Sequence, residues 1–152
     1  MSFNLSKRSL DSLVGVDEHL QRVVKQAIQL SKQDFMVLEG VRTRKQCMIN
    51  YGKGRTIAQC VAKGVPAQYA NPKATKVTWL NDPFASKHVT GNAVDLVPYP
   101  VDWNDLKKFD AIAQAMLQAA KELGVPVRWG ADWDSDGKPR ERGESDSPHF
   151  EI

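Results

Sequence analysis

Four residues of this chain carry chemistry that their surroundings do not readily explain as surface decoration: His88, Asp95, Asp146 and His149. Asp95 lies inside Ala93-Val94-Asp95-Leu96-Val97, where strand alternation puts Val94 and Leu96 on one face. A carboxylate in so apolar a strand needs a cation or strong donors beside it, because burying a bare charge is expensive. His88 comes seven residues earlier. A straight strand would hold the two roughly 23 Å apart at about 3.3 Å per residue, but the Thr90-Gly91-Asn92 turn can fold the segment back. His149 stands near the end of the sequence, where Phe150 and Ile152 alternate away from His149 and Glu151. One face of that strand is then core and the other is site. Two imidazoles and a carboxylate are ordinary zinc ligands, and three protein ligands leave a fourth position for water, the pattern of a catalytic centre. Asp146, three residues before His149, can reach such a water without being a ligand. It could take the proton and pass it to a leaving amine. Taken singly, each residue also has a structural reading: His88 as a loop or core histidine, Asp95 capped by amides or an arginine, Asp146 as a turn residue in Asp-Ser-Pro.

The elements that must position these residues can be read from periodicity. Leu20, Val23, Val24, Ala27 and Ile28 recur at helical spacing between Asp17 and Lys32, with Asp17 and Glu18 at the positive end of the helix. His19 falls on this helix, away from the other two histidines. Residues 35–40 read as a short buried strand. Thr43 to Asn50 and Thr56 to Lys63 read as two short helices, each ended by a nearby glycine. Residues 64–85 are rich in loop signals, punctuated by Pro66, Pro72 and Pro83. A strand over 93–97 stops at Pro98, and a second amphipathic helix runs from Asn104 to Leu123. Strands over 125–129 and 149–152 flank a polar loop of residues 130–148. Few strands with irregular connections predict an α+β fold with a small, largely antiparallel sheet. Loops as long as these two are usually functional.

Bulk properties set the frame. The 152 residues suit a single domain, 41% of them hydrophobic and 26% charged. No run approaches the roughly 18 apolar residues of a membrane helix. Charges occupy the N-terminal region where a secretory signal would have its apolar centre. That predicts a protein made in the cytoplasm. Cys47 and Cys60 lack thiolate-zinc spacing and read as reduced, structural residues. The net charge of +3 is compatible with an anionic partner, but the basic residues are scattered over 43–45, 52–55 and 138–142. A nucleic-acid partner is not expected, and the oligomeric state is expected to be monomeric.

A family resemblance sharpens this reading. The segment Ser86-Lys87-His88-Val89-Thr90-Gly91-Asn92-Ala93-Val94-Asp95 resembles the Ser-x-His-x-x-Gly-x-Ala-x-Asp signature of zinc peptidases that include D-alanyl-D-alanine carboxypeptidases and phage L-alanyl-D-glutamate endopeptidases. Trp129-Gly130-Ala131-Asp132-Trp133 and Asp146-Ser147-Pro148-His149-Phe150-Glu151 resemble the family's other block, with Ala131 where relatives often have a second glycine. Glu39-Gly40-Val41-Arg42-Thr43, followed by Gln46, looks like the segment that supplies an arginine to the substrate. The resemblance covers nearly the whole chain. It implies a hedgehog- and D-Ala-D-Ala-peptidase-like fold, and zinc on His88, Asp95 and His149. It further implies Asp146 as general base and then acid, and Arg42 polarising the scissile carbonyl, with Arg44 a rival two positions on. Ser86 would be a supporting hydroxyl. The last block and the small size look most like the phage endolysin branch, which cuts the L-alanyl-D-glutamate bond of peptidoglycan stem peptides. A single catalytic domain over 1–152 without a wall-binding domain, released from the host cytoplasm by a holin to act in the periplasm, would follow. The alternatives are a D-alanyl-D-alanine carboxypeptidase and, from a different class, a non-catalytic zinc-stabilised wall-binding module. Asp146 and Arg42 speak against the last.

Asp132, Asp134 and Asp136, followed by Gly137, match the first half of a calcium loop. The twelfth position falls on Gly143, with Glu144 one later. That mismatch favours a solvated acidic loop slightly over a calcium site, and leaves calcium open.

Overall fold

A computed structural model of the chain describes residues 2–141 and 143–152; Arg142 of the basic 138–142 segment lies outside them. In chain order the elements are α1 (Lys7–Ser12), α2 (Glu18–Leu30), β1 (Phe35–Glu39), α3 (Arg44–Gly52), α4 (Ile57–Ala62), a 3-10 turn (Ala67–Tyr69), β2 (Ala93–Pro98), α5 (Leu106–Leu123), β3 (Arg128–Trp129) and β4 (His149–Glu151). The expected α+β class with an antiparallel sheet is what the chain adopts. The chain divides into two compact units, one of Met1–Val41 with Thr90–Ile152, the other of Arg42–Val89.

The first unit is a four-stranded sheet of order β1-β2-β4-β3, each neighbouring pair antiparallel. Helices α2 and α5 pack against one another. The apolar stripe Leu20, Val23, Val24, Ala27 and Ile28 joins Ile112, Ala113, Met116, Ala119 and Ala120 of α5 in one core, which also takes Val94, Leu96 and Phe150 from the sheet. Burial drives this assembly: large apolar side chains each contribute about 1.5–3 kcal/mol on leaving water. Asp17 and Asp105 sit just outside their helices, and each accepts a backbone N–H from two residues on. Gly124, at φ +68°, ends α5 in the left-handed conformation that glycine adopts cheaply.

Two expectations change. Only Arg128 and Trp129 of residues 125–129 form a strand, because β4 is three residues long and offers partners to those two alone. Helix α1 is new. Six residues are too few for periodicity to show, and its start is marked only by Ser6, whose side chain accepts the Ser9 N–H. It covers the outer edge of β1, where Ser9 Oγ accepts the Val37 N–H at 3.0 Å. A sheet edge treated this way has no open donor there.

The second unit carries α3 and α4, capped by Thr43 and Thr56, with Gln59 completing a reciprocal capping box at Thr56. Tyr51, Cys60 and Val65 form its core. The long 64–85 segment is held by Arg55, whose guanidinium donates to the Tyr51 and Thr78 carbonyls at 2.8 Å each and lies over the Tyr51 ring. Cys47 and Cys60 are both buried, as their structural reading requires.

Ser9 gives the fold a direct test. Ser9→Ala leaves the Val37 N–H without its partner, which costs about 1–3 kcal/mol. The urea midpoint should fall with an unchanged slope; an unaltered midpoint would show that the edge is satisfied some other way.

Candidate functional site

The register of β2 against β4 is what assembles the site. Asp95 is the direct cross-strand partner of His149, and their side chains meet with Asp95 Oδ1 at 3.3 Å from His149 Nδ1. Val94, Leu96 and Phe150 turn into the core, so Asp95, His149 and Glu151 share the opposite face. Phe150 stacks on Trp129 with ring planes 9° apart, which fixes the level of the strand. His149 Nε2 meets Glu151 Oε1 at 2.9 Å, and Glu151 Oε2 accepts from Arg128 Nη2 at 2.9 Å. Asp146 is exposed, and its Oδ2 lies 3.9 Å from His149 Nδ1.

The Asp146–His149 turn is clasped by Gly130. The Gly130 N–H donates to the His149 carbonyl at 2.8 Å, and the Gly130 carbonyl accepts from the Asp146 N–H at 3.1 Å. A Cβ on Gly130 would stand 2.4 Å from the Asp146 carbonyl oxygen and 3.1 Å from the His149 Cβ. Trp129 Nε1 donates to the Ser147 carbonyl at 2.7 Å, and the Trp133 ring leans on the imidazole at 5.6 Å. Ala131, the residue after Gly130, is fully buried in the hydrophobic core.

Burial by itself would lower the pKa of His149, but hydrogen bonding to Asp95 and then to Glu151, with the charges of Asp95 and Asp146, raises it above its ordinary value. Three carboxylates around one imidazole make a place for a cation. A proton and a metal ion compete for it, since a ligating imidazole must be neutral.

In the second unit, His88 is buried in the turn that precedes Thr90, with 2% of its surface exposed. Its N–H donates to Ser86 Oγ at 3.3 Å, and its carbonyl accepts the Arg42 N–H at 2.9 Å. Ser86 is therefore a support for the histidine's backbone, and Arg42 is tied to the same turn. The rival Arg44 has its guanidinium over the Phe84 ring at 3.9 Å. His19 is exposed on α2. Within the first unit, Asp95 and His149 offer an oxygen and a nitrogen side by side, two donors of a kind that metal ions take.

The acidic loop forms two overlapping groups: Asp132, Asp134 and Asp136, and Asp134, Glu141 and Glu144. Asp132 is buried and accepts from the Gly137 and Asp136 N–H groups, while Glu144 accepts from Asp134 and Glu141. Desolvation pushes the Asp132 carboxyl up, and the Asp136 carboxylate does the same to Glu141. Sequence spacing did not single out Glu141. The loop bends back through Ser135 and Gly137, both at positive φ, and so brings it in. Glu151 is likewise not recognisable from sequence as a partner of His149, nor Arg128 as a partner of Glu151. The available signal was the i, i+2 spacing of His149 and Glu151 on one strand face.

Comparison with known proteins gives a consistent picture. A family model described as phage L-alanyl-D-glutamate peptidase matches residues 1–68 and 57–152. The L-alanyl-D-glutamate peptidase of Escherichia phage T5 is 38% identical, over all of this chain and 99% of its own length. The crystal structure of the Serratia marcescens L-Ala D-Glu endopeptidase ChiX superposes with a TM-score of 0.64 at 28% identity, covering all of this chain and 91% of that one.

Gly130 supplies the prediction here. Gly130→Ala drives a methyl group into backbone, and overpacking of that kind costs about 1–3 kcal/mol. The urea midpoint should drop, and the near-ultraviolet signal of Trp129 and Trp133 should change. A variant with wild-type stability and spectrum would mean that the Asp146–His149 turn is not clasped as described.

Proposed function

Because the chain belongs to the phage L-alanyl-D-glutamate peptidase family, we propose that its geometry serves hydrolysis of the L-alanyl-D-glutamate bond in peptidoglycan stem peptides, at a zinc ion held by His88, Asp95 and His149. The observation that carries the reading is the part-buried Asp95–His149 pair, an imidazole and a carboxylate facing one another across β2 and β4. With His88 the set is two nitrogens and an oxygen, which suits zinc and leaves a coordination position open. When bound, zinc supplies the Lewis acidity that makes water a nucleophile near neutral pH.

The chain's own residues do the rest. Asp146, exposed and 3.9 Å from His149 Nδ1, takes the proton from the attacking water and returns it to the departing D-glutamate amine. Arg42, tied to the His88 turn, provides the fixed positive charge where the carbonyl oxygen becomes anionic. Both units serve one catalytic domain over residues 1–152. The protein works as a monomeric endolysin on the host wall, after a holin has let it out of the cytoplasm. No helix among the described residues is long and apolar enough to cross a membrane. A D-alanyl-D-alanine carboxypeptidase would use the same donor set, but the names of the relatives favour the L-alanyl-D-glutamate bond.

Binding and chemistry separate by mutation. His88→Ala and His149→Ala should each lose zinc and lytic activity together, because two remaining protein ligands hold the metal poorly. Asp146→Asn should keep its zinc, while turnover falls by roughly 10² to 10⁴. Atomic absorption reads the metal, and mass spectrometry of digested peptidoglycan reads the bond. Full zinc in either histidine variant would overturn the ligand set, wild-type turnover of Asp146→Asn would remove it as the base, and release of D-alanine alone would move the activity to the carboxypeptidases.

We also propose calcium as a second ion, held by Asp132, Asp134 and Asp136 with Glu141 or Glu144 closing the group. What supports it is the convergence of Glu141 and Glu144 on Asp134, which gives the oxygen-only set that calcium prefers. Calcium should bind in calorimetry and magnesium should not compete for the site. Asp134→Ala should abolish the heat and leave zinc content unchanged. Silence at millimolar calcium would make the loop a solvated acidic surface.

A further inference from the structure

The metal reading leaves one buried acid unused. Glu151 is 8% exposed, and a carboxylate so placed requires strong partners. Its two oxygens are divided between them: Oε1 takes His149 Nε2 at 2.9 Å, and Oε2 takes Arg128 Nη2 at 2.9 Å. Arg128 is the direct cross-strand partner of Glu151, and its guanidinium also lies 5.0 Å from the centre of the Trp133 ring, the same ring that leans on His149.

We propose that Glu151 is a positioning residue for the metal centre. It fixes His149 through Nε2 so that Nδ1 is the atom presented on the Asp95 side, and Arg128 holds Glu151 in place. The inference rests on the zinc reading above. The imidazole has two nitrogens, and a metal can take only the one whose proton is absent. Nδ1 faces Asp95 Oδ1 at 3.3 Å and Asp146 Oδ2 at 3.9 Å. Nε2 is on the far side of the ring and is engaged by Glu151. A carboxylate at Nε2 keeps the proton there, sets the plane of the ring and makes Nδ1 a better donor. Two residues on along a strand return to the same face, so Glu151 reaches the ring that it serves with no help from a loop. The same occupation argues against Glu151 as the general base, a role open to a residue on the Nδ1 side such as Asp146.

The test measures zinc affinity by chelator competition on metal-depleted full-length protein, beside the nitrogen-15 shifts of His149, which report the tautomer. Glu151→Ala should weaken zinc by roughly 10- to 100-fold and should move the His149 nitrogen shifts toward a mixture of tautomers. Glu151→Gln, which keeps an acceptor without the charge, should recover part of both. Arg128→Gln removes a half-exposed side chain and tests the chain of contacts even where Glu151→Ala folds poorly; it should weaken zinc in the same direction by less. Wild-type affinity and an unmoved tautomer in Glu151→Gln and Arg128→Gln would overturn the proposal while the zinc reading stands. A wild-type chain that takes up no zinc would overturn the zinc reading, and this inference with it.

Discussion

The pairing of β2 with β4 in one register sets Asp95 opposite His149, and most of the molecule can be understood as what that pairing requires. A slip of one residue in β4 would turn His149 into the core and bring Phe150 out, and a slip in β2 would do the same with Asp95 against Val94 and Leu96. The core forbids it. Phe150 is fully buried, with Val94 and Leu96 beside it, and exposing such side chains would cost about 1.5–3 kcal/mol each. The apolar face of the sheet thus locks the polar face, and packing against α2 and α5 holds a site to which those helices contribute no catalytic group.

The polar face carries the opposite problem. Asp95, Asp146 and Glu151 surround one imidazole, and like charges crowded together destabilise one another unless a cation joins them. Arg128 answers part of this at Glu151, and a proton on His149 answers another part, as the raised pKa of that group reflects. The site is therefore built around positive charge. Whichever cation arrives must displace or replace a proton, which ties occupancy to pH.

Much of this is legible in the order of the amino acids alone. The stripe from Leu20 to Ile28 and the long helix ending at Gly124 announce themselves because thirteen and eighteen residues give periodicity room to show. His88, Asp95 and His149 stand out by type and by the motifs around them, and Asp95 most of all, since few other reasons place a carboxylate in an apolar strand. What the sequence hid was non-local or short. Helix α1 has only six residues. The Arg128–Glu151 contact depends on a cross-strand register that no local pattern encodes, and Glu141 enters the acidic cluster only because the chain reverses at Ser135 and Gly137. Val125 and Val127 looked like strand and instead pack beside the core, because β4 ends before it could pair with them.

The clasp at Gly130 bears on how such a protein can vary. Hydrogen bonds that Gly130 donates to His149 and accepts from Asp146 close a neck, and the chain between Ala131 and Ser145 leaves and returns through it as one excursion. The strand ends on both sides of the neck are fixed by their own pairing, so the excursion is not asked to hold the catalytic groups apart. Past Trp133, whose ring leans on His149, its length and composition are freer to drift, and loop closure makes added residues inexpensive, at about 0.6 kcal/mol for each doubling. The acidic part of the loop could be lengthened, shortened or exchanged for a segment that grips a different feature of the wall, with Asp95 and His149 still held by their own strand pairing. The fold thereby keeps its chemistry and its opportunity for new specificity on opposite sides of a single glycine.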